Sequence, residues 1–312
     1  MILTITLNPS VDINYQLDTL HIDDVNRVST VSKTAGGKGL NVARVLSQLD
    51  ESVTATGLLG GTIGEYIKNQ LNDQEIPERF MPISQESRNC IAVIHDSGKQ
   101  TEILESGPVI SKEEGDNFLN HLETLLDEVA VVTISGSLPK GLPDDYYVKV
   151  IKKCKDRNIK VILDTSGSVL KNVMDSKVKP FAIKPNIDEL KGLFSDSDFT
   201  SEKAIREALQ SEKFSGIECV MVSDGSKGSY VKWEENSYKV TIPKVDAVNP
   251  VGSGDATVAG LASALENKQS VEEGIKTAMT TGVLNALNEK TGSIDATDFD
   301  AIFDQITVEA LN

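Results

Sequence analysis

Short apolar runs alternate with amphipathic segments along most of this chain, and that alternation constrains the fold more than any other feature. Residues 2–7, 53–59, 130–134, 160–163, 181–183 and 219–222 read as strands. Residues 40–49, 63–71, 144–156, 255–265 and 271–287 place their apolar side chains at helical spacing. Strands separated by helices predict a mostly parallel sheet with helices on both faces. Ligands in such folds bind beyond the carboxyl ends of the strands. The predicted strands end in polar or glycine-rich turns at Asn8, Gly60-Gly61, Ser135-Gly136, Asp164, Lys184 and Ser223. These turns are expected to converge on one cleft.

Four segments break the alternation. Residues 11–17, 27–34, 90–95 and 99–104 read as strands with no helix between them, and they predict a small second sheet. A sheet covered on one face needs a partner or must close over a ligand. The expectation is a single domain over residues 1–312, with this sheet as a lid and as the surface through which a homodimer would form.

The net charge of −16 makes nucleic acid and anionic membranes poor partners. The three cysteines, Cys90, Cys154 and Cys219, are widely spaced and show no metal or disulfide pattern. The N-terminus lacks a signal-peptide pattern, and no apolar run nears the ~20 residues that span a bilayer. The expected location is the cytoplasm. His21, His95 and His121 are isolated, and neither a Walker sequence nor a dinucleotide fingerprint is present. Trp233 reads as a strand residue, and the run Asp196–Asp198 as a solvated loop.

Two motifs carry chemistry. The first is Asn249-Pro250-Val251-Gly252-Ser253-Gly254-Asp255-Ala256-Thr257, directly before an apolar helix. Free amides of Gly252, Ser253 and Gly254 at the helix start, with its dipole, form a site for phosphate or for charge on a phosphoryl group in transfer. Asp255 in the first turn is placed to accept a hydroxyl proton, although the same pattern also serves as an Asp cap after a glycine turn. The second is Ala35-Gly36-Gly37-Lys38-Gly39-Leu40-Asn41, in which glycines admit a ligand to the backbone, Lys38 can meet an anion and Asn41 can bond hydroxyls.

Together these motifs resemble the paired signatures of the ribokinase-like PfkB carbohydrate kinases. Asn8-Pro9-Ser10-Val11-Asp12, Ser135-Gly136-Ser137-Leu138-Pro139, Lys184-Pro185-Asn186 and Ser223-Asp224-Gly225-Ser226-Lys227-Gly228 agree in order, so the resemblance covers nearly the whole chain. It implies a ribokinase-like α/β fold and an ATP- and Mg²⁺-dependent kinase. Lys38 and the stretch 248–255 bring it nearest to members that act on ketohexose monophosphates. The implied substrate is D-tagatose 6-phosphate, with D-fructose 1-phosphate as the alternative. A non-catalytic sugar-phosphate sensor is the alternative from another class.

The resemblance also implies a site. Asp12, Asn14, Gly37 and Asn41 would hold the sugar; Lys38, Arg88 and Arg27 would meet its phosphate. Lys184, Asn186, Ser223, Gly225 and Gly228 would contact ATP. Glu189 and Asn186 would supply oxygens to the magnesium shell, with Asp188 as a further choice. The family's NPxE pattern reads Asn186-Ile187-Asp188-Glu189 here, so the expected turn lacks its proline.

Overall fold

A computed structural model describes residues 1–194 and 199–311; the run Asp196–Asp198 lies outside the described residues. The chain opens with β1 (Ile2–Thr6), β2 (Ser10–Gln16), β3 (Thr30–Gly36), α1 (Lys38–Gln48), β4 (Val53–Leu59) and α2 (Gly61–Asp73). It continues through β5 (Met81–Pro82), β6 (Arg88–His95), β7 (Lys99–Leu104), α3 (Lys112–Leu125), β8 (Val131–Ser135), α4 (Tyr146–Lys155), β9 (Lys160–Asp164) and α5 (Gly167–Asp175). Next come β10 (Ala182–Ile183), α6 (Ile187–Leu193), α7 (Glu202–Leu209), β11 (Cys219–Ser223), β12 (Ser229–Trp233) and β13 (Asn236–Thr241). The last elements are α8 (Ser253–Glu266), α9 (Val271–Leu287), α10 (Phe299–Phe303) and β14 (Thr307–Ala310).

Ten strands form one sheet in the order β14-β13-β12-β11-β10-β9-β8-β1-β4-β5. Pairings from β5 across to β11 are parallel, and those from β11 to β14 are antiparallel. The order reverses at β1, which lies between β8 and β4. A reversal of this kind opens a crevice at the strand ends.

Side-chain alternation divides the interior. Leu3 and Ile5 of β1 pack into the layer containing Phe118 of α3 and Tyr147 and Val150 of α4. Ile2 packs on the other side with Leu40, Val42 and Leu46 of α1 and Val258 and Leu261 of α8. Helices α8 and α9 are buried nearly all round, which accounts for their weak amphipathicity. Small residues let them lie close: a Cβ on Gly260 would stand 2.4 Å from Thr281 Oγ1. Truncating a fully buried residue such as Leu46 to alanine costs about 2–5 kcal/mol.

The four remaining strands form a separate sheet in the order β3-β2-β6-β7. It is mixed, because β2 and β6 run parallel while the outer pairings are antiparallel. Its β3 spans Thr30–Gly36, so Arg27 precedes the strand. The register aligns Asp12 with Thr34 and Cys90, and Asn14 with Ser32 and Ala92, and all of these line the cleft. Among the described residues, no helix is long and apolar enough to cross a membrane.

Candidate active site

A cleft of about 2390 Å³ runs from the small sheet to the end of β11. Asn8, Ser135-Gly136, Lys184 and Ser223 line it as expected, and Thr165 and Ser166 line it just past Asp164. Gly60 and Gly61 do not. They join Ser87 and the start of α2 instead, with Gly60 N donating to Ser87 Oγ at 3.1 Å.

The floor of the cleft is the N-terminus of α8. Gly252 precedes the helix at φ 86°, and a Cβ there would meet Gly292 N at 2.9 Å. The position therefore demands glycine twice over, by conformation and by space. Ser253 N donates to Pro250 O at 3.2 Å. The amides of Gly254 and Asp255 come before the first carbonyl of the helix can serve them, so they are open to an anion. Lys184 Nζ comes within 3.0 Å of where a Cβ on Gly254 would stand. Asn285 braces the turn, donating from Nδ2 to Val251 O at 2.9 Å and accepting Gly292 N at 2.8 Å.

Asp255 is 6% exposed, and its Oδ2 accepts Asn41 Nδ2 at 2.8 Å. Burial, and next the nearby Asp164 charge, push its carboxyl up to about 6 against the pull of Lys38, Asn41 and Lys184. A carboxyl tuned toward neutrality, yet able to ionise there, suits a general base. Asp164 ends β9 at 1% exposure. It accepts Lys38 Nζ at 3.1 Å and stands 3.7 Å from Lys184 Nζ. Burial opposes its ionisation, but the two lysines outweigh burial and hold it below its ordinary range. Burial likewise opposes the charge on Lys38, and Asp164 and Asp255 overcome that and raise it.

Several of the expected sugar-side residues come together. Asp12 accepts Ser10 Oγ at 2.7 Å, and burial raises its carboxyl. Gly36 leaves the room Asp12 occupies, since a Cβ there would fall 2.1 Å from its Cγ. Gly37 starts α1 at φ 110°, and Asn14 Oδ1 is buried without a partner. Arg88 lines the cleft and donates to Asn8 O at 3.2 Å and Glu105 O at 2.9 Å. Asn41 lines the cleft, and its amide meets Asp255 and Arg44 with one N–H and one oxygen lone pair to spare. One residue differs from expectation. Arg27 is exposed and lies outside the lining of the cleft.

At the other end, Lys184 is only 5% exposed, and Ser223, Gly225 and Gly228 form the wall. Gly225–Lys227 is a single 3₁₀ turn inside the β11–β12 hairpin. Asn186 caps α6 even without the proline: its Oδ1 accepts Glu189 N at 2.8 Å, and Glu189 Oε2 accepts Asn186 N at 2.9 Å. That reciprocal cap occupies the Asn186 oxygen and one Glu189 oxygen. Among the described residues, no group of three His, Cys, Asp or Glu is arranged to hold a metal. The Glu189 oxygen left outside the cap, Oε1, is an oxygen donor of the kind that fits a divalent cation.

Sequence reasoning gave no role to Asp164, Arg44 or Asn285. Asp164 was visible only as a polar strand end. Arg44 carried one signal, its place one helical turn after Asn41 on the same face.

The strand order, with the cleft at its reversal and α8 opening into it, defines the ribokinase-like class of α/β kinases. Within that class the chain belongs to the pfkB family of carbohydrate kinases, whose model matches residues 5–297. It is 51% identical over 308 residues to the tagatose-6-phosphate kinase of Staphylococcus epidermidis, with 99% of each chain covered. The structure of Escherichia coli phosphofructokinase-2 in complex with potassium superposes at TM-score 0.90 and 28% identity, covering 97% of this chain and 98% of that one. The same enzyme in complex with fructose-6-phosphate gives TM-score 0.87 and 27% identity, with the same coverage.

Proposed function

We propose that this carbohydrate kinase transfers the γ-phosphoryl group of ATP to a ketohexose monophosphate, D-tagatose 6-phosphate before others, giving D-tagatose 1,6-bisphosphate. The observation that carries the chemistry is Asp255, buried in the first turn of α8 beside the open amides and held by Asn41. The choice of sugar rests on the 51% identity to the staphylococcal enzyme.

In this reading Asp255 takes the proton of the free primary hydroxyl as that oxygen attacks the γ-phosphorus in line. The amides at Gly254 and Asp255, with Gly252 and Ser253 shaping the turn, stabilise charge on the transferring group. Lys184 adds positive charge from the nucleotide side and Lys38 from the sugar side. Asp12, Asn14 and Gly37 hold the sugar, and Lys38 and Arg88 meet its existing phosphate. Asn186, Ser223, Gly225 and Gly228 border the nucleotide. Magnesium, when bound, screens the phosphate oxygens, and Glu189 is the residue that would hold it.

The small sheet acts as a lid that excludes water and limits ATP hydrolysis. Leu104 (59% exposed) on the cleft face of the sheet, and Val31 (45%) and Ile103 (58%) away from the cleft, leave apolar surface on its outer strands that a homodimer formed through this sheet would cover. The setting is the cytoplasm.

The test is ADP release with Mg-ATP against D-tagatose 6-phosphate, D-fructose 6-phosphate, D-fructose 1-phosphate and fructose, compared by kcat/KM. Preference for the 6-phosphates, with tagatose well used, supports the proposal. Preference for D-fructose 1-phosphate replaces the substrate and keeps the mechanism. Binding without turnover points to a sugar-phosphate sensor.

A further inference from the structure

We infer that Arg44 is a positioning residue that holds the Asn41 side chain in the one orientation from which it can serve Asp255. This rests on the proposed role of Asp255 as the base.

An asparagine amide has a donating end and an accepting end, and only the donating end can face a carboxylate. Asn41 Nδ2 faces Asp255 Oδ2 at 2.8 Å. Its other end, Oδ1, accepts Arg44 Nη1 at 3.1 Å. A guanidinium only donates, so it rejects the flipped amide, which would present Nδ2 to Nη1 and Oδ1 to the carboxylate. Arg44 thus selects the rotamer without touching the reacting atoms.

The guanidinium is itself fixed from several directions. Nη2 donates to Ala35 O at 2.7 Å, Nη1 to Thr291 O at 3.1 Å, and Nε to Gln74 Oε1 at 3.0 Å. These acceptors come from β3, from the segment after α9 and from the end of α2. Gly292, next to Thr291, packs so closely that a Cβ there would lie 2.6 Å from Asn41 Cβ. The stem of Asn41 is therefore held by packing and its amide by Arg44.

Among the described residues, no carboxylate pairs with Arg44 at ion-pair distance; all its hydrogen-bond acceptors are neutral. Burial opposes its charge, and Asp12, the acidic group facing it, favours that charge. A buried cation with neutral acceptors is costly. A donor-only group at this point accounts for its presence, because a glutamine could present its oxygen and a lysine lacks the planar fork.

The experiment compares kcat–pH profiles for the full chain with Mg-ATP and saturating D-tagatose 6-phosphate, or the best substrate of the panel above. The charged groups facing Asp255 are Asp164, Lys38 and Lys184, and all stay in place. Arg44→Met is expected to lower kcat about tenfold at neutral pH and to move the acid limb up by about one pH unit, the worth of a hydrogen bond to a charged group. KM for ATP should stay within about twofold, because Arg44 sits on the sugar side. Asn41→Ala should show the same shift, and the double variant should be no worse than the single ones. If Arg44→Met does not fold, Arg44→Lys must show the upward shift to a smaller extent.

An unmoved acid limb in both Arg44 variants overturns the inference, as do effects of Arg44→Met and Asn41→Ala that multiply. Asp255→Asn separates the two readings. If it is inert while the Arg44 variants leave the limb unmoved, only the positioning role fails. If it turns over near normally, the base assignment fails and the positioning role with it.

Discussion

Asn41 donates a 2.8 Å hydrogen bond to Asp255 from a position 214 residues away in sequence. The bond ties the start of α1, which borders the small-sheet end of the cleft, to the start of α8, which forms its floor. Shape on one side and charge on the other are thereby set by a single contact between two buried side chains.

Replacing Asp255 by Asn keeps the shape of that contact and removes the proton acceptor. Turnover is expected to fall by roughly 10²–10⁴-fold, the usual worth of a positioned general base. ATP affinity, measured by calorimetry, should change little. In the unaltered enzyme, kcat should decline as pH falls through about 6, since burial and Asp164 raise the carboxyl and only the ionised form accepts a proton. A flat profile down to pH 4.5 would remove Asp255 from that role.

The same substitution should stabilise the fold. The folded-state pKa of Asp255 lies above its ordinary value of 3.8. Stability from this group is therefore complete below that value and is lost as pH rises through about 6. At pH 7.5, Asp255→Asn should gain on the order of 1–3 kcal/mol, read as a higher Tm, and the gain should vanish near pH 4. A lower Tm at pH 7.5 would mean that the ionised carboxylate is a net stabiliser.

Asp164→Ala should do the reverse. It leaves Lys184 buried without its counter-charge, and such unpairing costs about 3–5 kcal/mol. The Lys38 side chain, 44% exposed, can turn to water and adds less. Urea unfolding measures the difference. A loss below about 1 kcal/mol would show that Lys184 finds another partner.

Gly36→Ala tests the sugar end. A Cβ 2.1 Å from Asp12 Cγ forces the carboxylate out of its place beside Ser10. KM for the sugar phosphate is expected to rise by about tenfold or more, with KM for ATP nearly unchanged, since a misplaced contact removes binding to one substrate only. Equal changes in both constants would argue that Asp12 does not touch the sugar.

Much of this molecule was legible in the residues. The alternation of strands and helices, the small second sheet and the glycine turn before Asp255 all follow from local rules, because apolar period and glycine geometry act over a few residues. Helix α3 escaped the periodicity reading, although Ser111 and Glu114 form a capping box that marks its start. Strand β12 was legible only at Trp233, and β13 and β14 went unread: β14 finds its partner only because α9 and α10 return the chain to the sheet edge. What local rules could not reveal is pairing across the chain. Asp164 reads as a strand end until the parallel register of β8, β9 and β10 brings it between Lys38 and Lys184. Arg27 and Arg44 are both plain basic residues in sequence, and only the fold leaves one exposed and sets the other against Asn41. The sequence by itself determined the elements and the chemistry available at their ends. The tertiary structure decided which of those groups share a buried space, where low dielectric makes each charge depend on its neighbours.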